Sequence, residues 1–200
     1  TVSCHFLQTT MRIIAGTQKG RRLHGPKGPG LRPTADRVKE ALFSILGSRV
    51  VGSRFLDLYA GTGAIGIEAL SRGAQHVTFV ESNPTALRVL RANVTQCRLG
   101  AEAEIQTCPA GVFLKRHAKA AAQHDIVFAD PPYQQDHLTE LWAALAGTAT
   151  IAPDALIVLE HSSKSAVPPA NVRLSLLRQY RYGDTTLSVF EVATQDTFAL

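Results

Sequence analysis

The chain has 200 residues, 45% of them hydrophobic, and a formal net charge of +5. That length supports one sizeable core with room for a small appendage, and no apolar run approaches the roughly 20 residues of a membrane span. Three cysteines (Cys4, Cys97, Cys108) in no CxxC spacing argue against a disulfide framework and a zinc site, the seven histidines show no metal-ligand spacing, and the pattern fits a reducing, cytoplasmic setting with no metal.

Residues 1–10 lack a basic n-region and an apolar h-region, so they read as a leader or upstream extension before Met11 and not as a secretory signal. Residues 11–31 predict a basic β-hairpin and linker: two short strands flank a glycine-containing turn, and Gly25, Pro26, Gly28, Pro29 and Gly30 follow. The hairpin is too small to bury a core alone. Charge is concentrated here. Eight Lys/Arg and two acids in residues 1–40 give +6, which leaves −1 for the remaining 160. Such asymmetry points to a polyanionic partner, with Arg12, Lys19, Arg21, Arg22, Arg32, Thr34 and Arg37 as candidate substrate contacts.

The main domain is expected over residues 32–200. Thr34 is a good helix N-cap, and Val38, Ala41, Leu42, Ile45 and Leu46 give an apolar helical stripe that stops at Gly47. Strands are expected at Arg54–Tyr59, His76–Glu81, Ala103–Thr107, Asp125–Ala129 and Asp154–Glu160. Helices alternate with them: one ending near Arg72, then Pro84–Cys97, Ala110–Ala122 and Leu138–Ala146. Val172–Tyr182 and Thr185–Val192 flank a Gly-Asp turn and form a terminal hairpin. Alternating strands and helices mean a parallel sheet with right-handed crossovers. Five such strands plus a hairpin is the plan of the α/β, seven-stranded Rossmann-like methyltransferase sheet: mostly parallel, with a C-terminal antiparallel hairpin and here a small N-terminal β-hairpin appendage.

Two stretches carry chemistry. Gly61-Thr62-Gly63-Ala64-Ile65-Gly66 matches GxGxxG between a strand and a helix, with Glu81 about twenty residues on, which is also the dinucleotide fingerprint. Asp57, just before the glycines, would repel a pyrophosphate at the helix N-terminus but favours the ammonium of S-adenosylmethionine. Glu81 suits ribose hydroxyls. The second stretch, Asp130-Pro131-Pro132-Tyr133, follows a buried strand. There the prolines hold rigid acceptors beside an aromatic ring, an arrangement matched to a flat base bearing an amino group and without use in hydride transfer.

Asp57-Leu58-Tyr59-Ala60-Gly61-Thr62-Gly63 with Asp130-Pro131-Pro132-Tyr133 resembles the methyltransferases that modify exocyclic nitrogens of nucleobases. Further blocks narrow the resemblance: Met11-Arg12-Ile13-Ile14-Ala15-Gly16, Leu31-Arg32-Pro33-Thr34, Asp36-Arg37-Val38, Ile67 to Gly73, and Tyr182-Gly183-Asp184-Thr185. The set is similar to the RsmD-type bacterial small-subunit (16S) ribosomal RNA (guanine-N2)-methyltransferases, from Met11 to about Glu191. The resemblance implies S-adenosyl-L-methionine as donor, a guanine exocyclic amine as acceptor, and small-subunit ribosomal RNA or an assembling 30S-type particle as partner, with the hairpin as docking arm. Cofactor binding is expected at Asp57, Tyr59, Ala60, Gly61, Thr62, Gly63, Glu81, Ser82 and Cys108. Related enzymes often place an acid after the third strand, where this chain has Gln106-Thr107-Cys108-Pro109-Ala110.

An aromatic amine is a poor nucleophile, so positioning matters more than a strong base. Asp130 and the Pro131 carbonyl are expected to accept the two amine hydrogens, with Pro132 stiffening the loop and Tyr133 stacking on the base. Rival readings are a DNA or RNA amino-methyltransferase acting on adenine or cytosine, a C5-cytosine methyltransferase using Cys108 as nucleophile, and a non-catalytic RNA-binding module. The last leaves Asp57, Glu81 and Asp130 without a shared purpose.

Overall fold

A computed structural model describes residues 11–25, 33–119, 123–132, 135–166, 171 and 173–193, side chains at 33–35 and 135–137 excepted. The elements run β1 (Met11–Arg12), β2 (Arg22–Leu23), α1 (Pro33–Leu46), a 3-10 turn (Gly47–Val50), β3 (Arg54–Leu58), α2 (Ala64–Ser71), β4 (His76–Glu81), α3 (Pro84–Cys97), β5 (Ala103–Thr107), α4 (Ala110–Arg116), β6 (His124–Ala129), α5 (Gln135–Gly147), β7 (Ile151–Ser162), β8 (Leu174–Tyr182) and β9 (Thr185–Val192). The main sheet has the order β5-β4-β3-β6-β7-β9-β8, and β1 and β2 form a separate antiparallel pair. β3, β4, β5, β6 and β7 pair in parallel, whereas β9 runs antiparallel to both β7 and β8.

Parallel strands covered on both faces must be apolar on both. Successive residues of β3 serve the two layers in turn: Phe55 packs with Leu42, Val77 and Phe79 on one side, and Leu56 with Val80, Phe113 and Val127 on the other. Local signals set the helix ends. Asn83 caps α3 by accepting the N–H groups of Thr85 and Ala86, and Pro84 takes the first position, where no N–H is needed.

Three expectations change. Helix α1 begins at Pro33, so Thr34 lies inside its first turn instead of capping it. Helix α4 stops at Arg116 and not at 122. Strand β7 runs from Ile151, earlier than Asp154, because the chain passes Pro153 through a register shift against β6 and puts Asp154 at φ 62. A bulge is where a strand tolerates proline.

The N-terminal segment is built into the domain. Ile13 and Leu23 are buried in the same cluster as Leu42 and Ile67. Glu68, fully buried on α2, accepts the N–H groups of Ile14 and Ala15 and pairs with Lys39 and Arg72. Gly16 lies so close to α2 that a Cβ there would sit 1.7 Å from the Ser71 carbonyl oxygen. Asn93 on α3 accepts the His24 N–H and donates to the carbonyls of His24 and Thr62, which ties the segment to the glycine loop. Among the described residues no helix is long and apolar enough to cross a membrane.

Candidate active site

Four parallel strands deliver acids to one edge of the sheet. Asp57 lies in β3, Glu81 ends β4, Asp130 follows β6 and Glu160 lies near the end of β7. In open α/β sheets this carboxyl edge is where ligands bind.

The glycine loop is shaped by conformation and by space. Tyr59 adopts φ 63 and opens the turn in a left-handed conformation that costs about 1–2 kcal/mol for a residue with a side chain. Strain of this kind gathers at functional sites. Gly63, at φ 80, caps α2, and a Cβ there would stand 2.3 Å from Leu90 Cδ1. Gly66 is needed for space: a Cβ would meet Phe79 Cε1 at 2.3 Å and Val77 Cγ1 at 2.7 Å. The motif therefore presses α2 onto β4. The Ala60 N–H donates to the Val80 carbonyl at 3.1 Å, and Thr62 Oγ1 lies 3.9 Å from Met11 Sδ.

Two acids hold this loop. Glu81 accepts the N–H of Gly61 at 2.7 Å on one oxygen, and those of Ser82 and Asn83 at 2.8 and 2.7 Å on the other. A carboxylate has about four acceptor positions, so roughly one remains for a hydroxyl. Asp57 is 1% exposed and accepts the Gly66 N–H at 2.9 Å. Burial pushes its carboxyl up to about 7; the Gly66 N–H opposes the rise, and the charges of Asp130 and Glu81 add to it.

Beside the loop lies a cavity of about 1130 Å³ whose walls include Tyr59, Glu81, Ser82, Pro109, Asp130, Pro131 and Pro132. Pro131 is buried and Pro132 exposed. Asp130 is exposed, yet its carboxyl loses enough water for its pKa to rise to about 6. It also lines a second, smaller cavity of about 170 Å³, shared with Glu160, Met11, Lys39, Ile65 and Phe128. Glu160 is half-buried, and burial first, then the Asp130 charge, raises its carboxyl to about 8. Asp130 thus stands at the junction of a large cavity and a small one.

The large cavity suits the donor expected from the sequence. Glu81 has a vacant acceptor position at the end of β4, and Pro109, Ala110 and Val112 form an apolar wall for a flat ring. Cys108 does not belong to that wall. Its side chain is buried against Leu56, Val80 and Phe113, which is a poor placement for a nucleophile.

Lys115 lines the large cavity, whereas Arg12, Lys19, Arg21, Arg22 and Arg37 do not. Arg12, Lys19, Arg22 and Arg37 are exposed, and Arg21, half-buried, donates to the Gln96 carbonyl at 2.5 Å. Lys39, counted with the surface charge in the sequence, is buried, and its ammonium donates to the Arg12 carbonyl at 2.7 Å. Tyr133 and Arg32, the side chain of Thr34, and the leader 1–10 lie outside the described residues. Sequence reasoning passed over Glu160, although it shares the acid-at-strand-end pattern of Glu81 and Asp130. It also passed over Glu68 and Asn93, which reach the site through the N-terminal segment.

The chain matches the family described as conserved hypothetical protein 95 over residues 11–191. It is 36% identical over 185 residues to ribosomal RNA small subunit methyltransferase D of Escherichia coli (strain K12), covering 92% of this chain and 91% of that protein. It is 35% identical over 181 residues to YlbH of Bacillus subtilis (strain 168), covering 90% and 98%. Among solved structures, yhhF of Escherichia coli superposes with a TM-score of 0.81 at 32% identity, covering 93% of this chain and 99% of that one.

Proposed function

The chain belongs to the conserved hypothetical protein 95 family, with ribosomal RNA small subunit methyltransferase D as a relative, and from that premise we propose that it is an S-adenosylmethionine-dependent methyltransferase acting on the exocyclic N2 amine of a guanine in small-subunit ribosomal RNA. The observation that carries this reading is the position of Asp130 between the two cavities. One side is large enough for the donor and carries Glu81 and Ser82. The other offers an acceptor-lined recess for a base.

S-adenosylmethionine, when bound, supplies an electrophilic methyl group on a sulfonium. Glu81 and Ser82 would hold its ribose, the turn that begins at Tyr59 would hold its amino-acid end, and Pro109 to Val112 would flank its ring. Asp57 acts from behind the loop by fixing Gly66, and its negative potential favours an ammonium nearby.

The rest belongs to the Asp130 loop. Asp130 and the Pro131 carbonyl accept the two hydrogens of the amine and keep its lone pair turned toward the cofactor cavity. The amine becomes cationic as it attacks, so a fixed carboxylate is worth more in the transition state than before it. Asp130 then takes the released proton, and its raised pKa, about 6, suits that task near neutral pH. Tyr133, two residues past Pro131, is assigned to stack on the base, a contact worth roughly 1–3 kcal/mol. The base must leave its stack to enter. The exposed Arg12, Lys19, Arg22 and Arg37 supply phosphate contacts to RNA or to an assembling particle.

The reading is tested by incubating the chain with labelled S-adenosylmethionine and small-subunit particles that lack the mark. Label is expected in the RNA, and RNA that stays unlabelled overturns the reading.

A further inference from the structure

We propose that Glu160 reads the target base, its carboxyl meeting the N1–H and O6 of a guanine whose N2 amine is held by Asp130. The inference rests on the methyltransferase reading above and adds to it the group that selects the base.

Topology brings the two acids together. In the parallel pairing of β6 with β7, Ala129 stands opposite Leu159, so Asp130, just past β6, and Glu160, within β7, stand at one level, on strands about 4.8 Å apart. Ala129 and Leu159 both pack into the core layer that contains Trp142, while Phe128 and Val158 pack into the opposite one. Side chains alternate along strands. Asp130 and Glu160 therefore turn to the Phe128 side, where both line the 170 Å³ cavity.

Neither carboxyl has a partner among the described residues. Among the described residues lining that cavity the one cation, Lys39, is committed to the Glu68 carboxylate and the Arg12 carbonyl. Asp130 is exposed and Glu160 half-buried, and crowding two acids with no donor between them disfavours their charged forms: loss of water raises Asp130 to about 6, and burial, then the Asp130 charge, raises Glu160 to about 8. A ligand that brings a row of donors relieves it. Guanine alone among the common bases carries two adjacent donor groups, N1–H and the N2 amine, on one edge, with the O6 acceptor beside them. A protonated Glu160 meets this edge completely: its C=O accepts N1–H and its O–H donates to O6. With adenine the amine at Asp130 leaves a bare C2–H facing the second Glu160 oxygen. With cytosine it sets O2 against that oxygen. A site built for hydrogen bonds rejects ligands that leave its polar groups unpaired.

The test uses the full chain, labelled S-adenosylmethionine and small-subunit particles lacking the mark, with Glu160→Leu and Glu160→Gln compared with the wild type. Leucine removes both contacts. Glutamine keeps a C=O for N1–H and an N–H for O6. Glu160→Leu should lower kcat about 10- to 100-fold, the value of one bidentate base contact. Its KM for particles and its Kd for S-adenosylmethionine should stay within about twofold, and its Tm should rise because an unpartnered carboxyl is gone. Glu160→Gln should retain kcat within about fivefold. The proposal is overturned by a leucine variant with wild-type kcat or with a lowered Tm, or by a glutamine variant as impaired as leucine. If the wild type forms no N2-methylguanosine, the methyltransferase reading itself fails. If it does and Glu160→Leu is unaffected, only the role of Glu160 fails.

Discussion

The Glu68 carboxylate accepts the Ile14 N–H at 2.8 Å across 54 residues of chain. The same carboxylate holds Ala15, Lys39 and Arg72, and Ser71 donates to the Ala15 carbonyl and accepts the N–H groups of Thr17 and Gln18, so Glu68 and Ser71 together fasten the N-terminal segment to α2. The segment in turn reaches Thr62 of the glycine loop through Asn93. A basic stretch expected from the sequence to serve as a docking arm is thus part of the wall behind the glycine loop.

Removing Glu68 leaves Lys39 buried without its counter-charge. Glu68→Ala should destabilise the protein by about 3–5 kcal/mol in urea unfolding, and the amides of Ile14 and Ala15 should lose protection from hydrogen exchange. A variant within 1 kcal/mol of wild type would show that the segment is held by other means.

The glycine loop makes a graded prediction. Gly66→Ala drives a methyl group against Phe79 and Val77, and overpacking of this kind costs about 1–3 kcal/mol. It should also weaken S-adenosylmethionine binding, because α2 must move off β4. Gly100→Ala, whose Cβ meets nothing within 4 Å, should stay within about 0.5 kcal/mol. Equal Tm values for the two variants would contradict the packing argument.

Asp57 makes stability depend on pH in a defined direction. Its folded pKa, about 7, lies above its ordinary value of 3.8. The corresponding stability is complete below about pH 4 and is lost as pH rises through 7. Asp57→Asn keeps an acceptor for the Gly66 N–H and removes the titration. Its stability advantage over the cofactor-free wild type should widen by roughly 2–3 kcal/mol between about pH 5 and 8.5. Thermal melts at both pH values check this, and a constant gap would contradict it.

Asp130 should matter for turnover and little for donor binding. Asp130→Ala is expected to lower kcat by about a hundredfold or more, while calorimetry gives a Kd for S-adenosylmethionine within a few-fold of wild type. Near-normal turnover would remove Asp130 from the chemistry.

The exposed cations of the hairpin should act on RNA alone. Deleting residues 1–23 would cut away buried Ile13 and Leu23, so charge neutralisation is the cleaner experiment. Replacing Arg12, Lys19 and Arg22 with glutamine should weaken particle binding. It should also reduce the slope of log K against log salt by about 0.7–0.9 per lost phosphate contact. An unchanged slope would place the RNA elsewhere.

The sheet was legible in the sequence because its strands are short apolar runs closed by glycine and proline, and β4, α3 and β5 lie where the pattern puts them. The position of Asp130 at the end of β6, beside both cavities, follows the same pattern: an acid followed by two prolines after a buried strand marks the strand's carboxyl end. Glu160 was not legible. It reads as the last residue of a strand, and only the placement of β6 beside β7 makes it a neighbour of Asp130. Lys39 and Glu68 sit on helices where charge normally meets water, and their burial depends on a segment folding back from far along the chain. Pro153 hid the first turn of β7 because a bulge cannot be read from one strand alone.

The central claim is that Asp130 presents a guanine N2 amine to the donor, and the most direct test is the identity of the product. Small-subunit particles lacking the mark, incubated with this chain and S-adenosylmethionine, should yield N2-methylguanosine on nucleoside analysis, and Asp130→Ala should form it about a hundredfold or more slowly. N6-methyladenosine, N4-methylcytidine or 5-methylcytidine in its place would contradict the account.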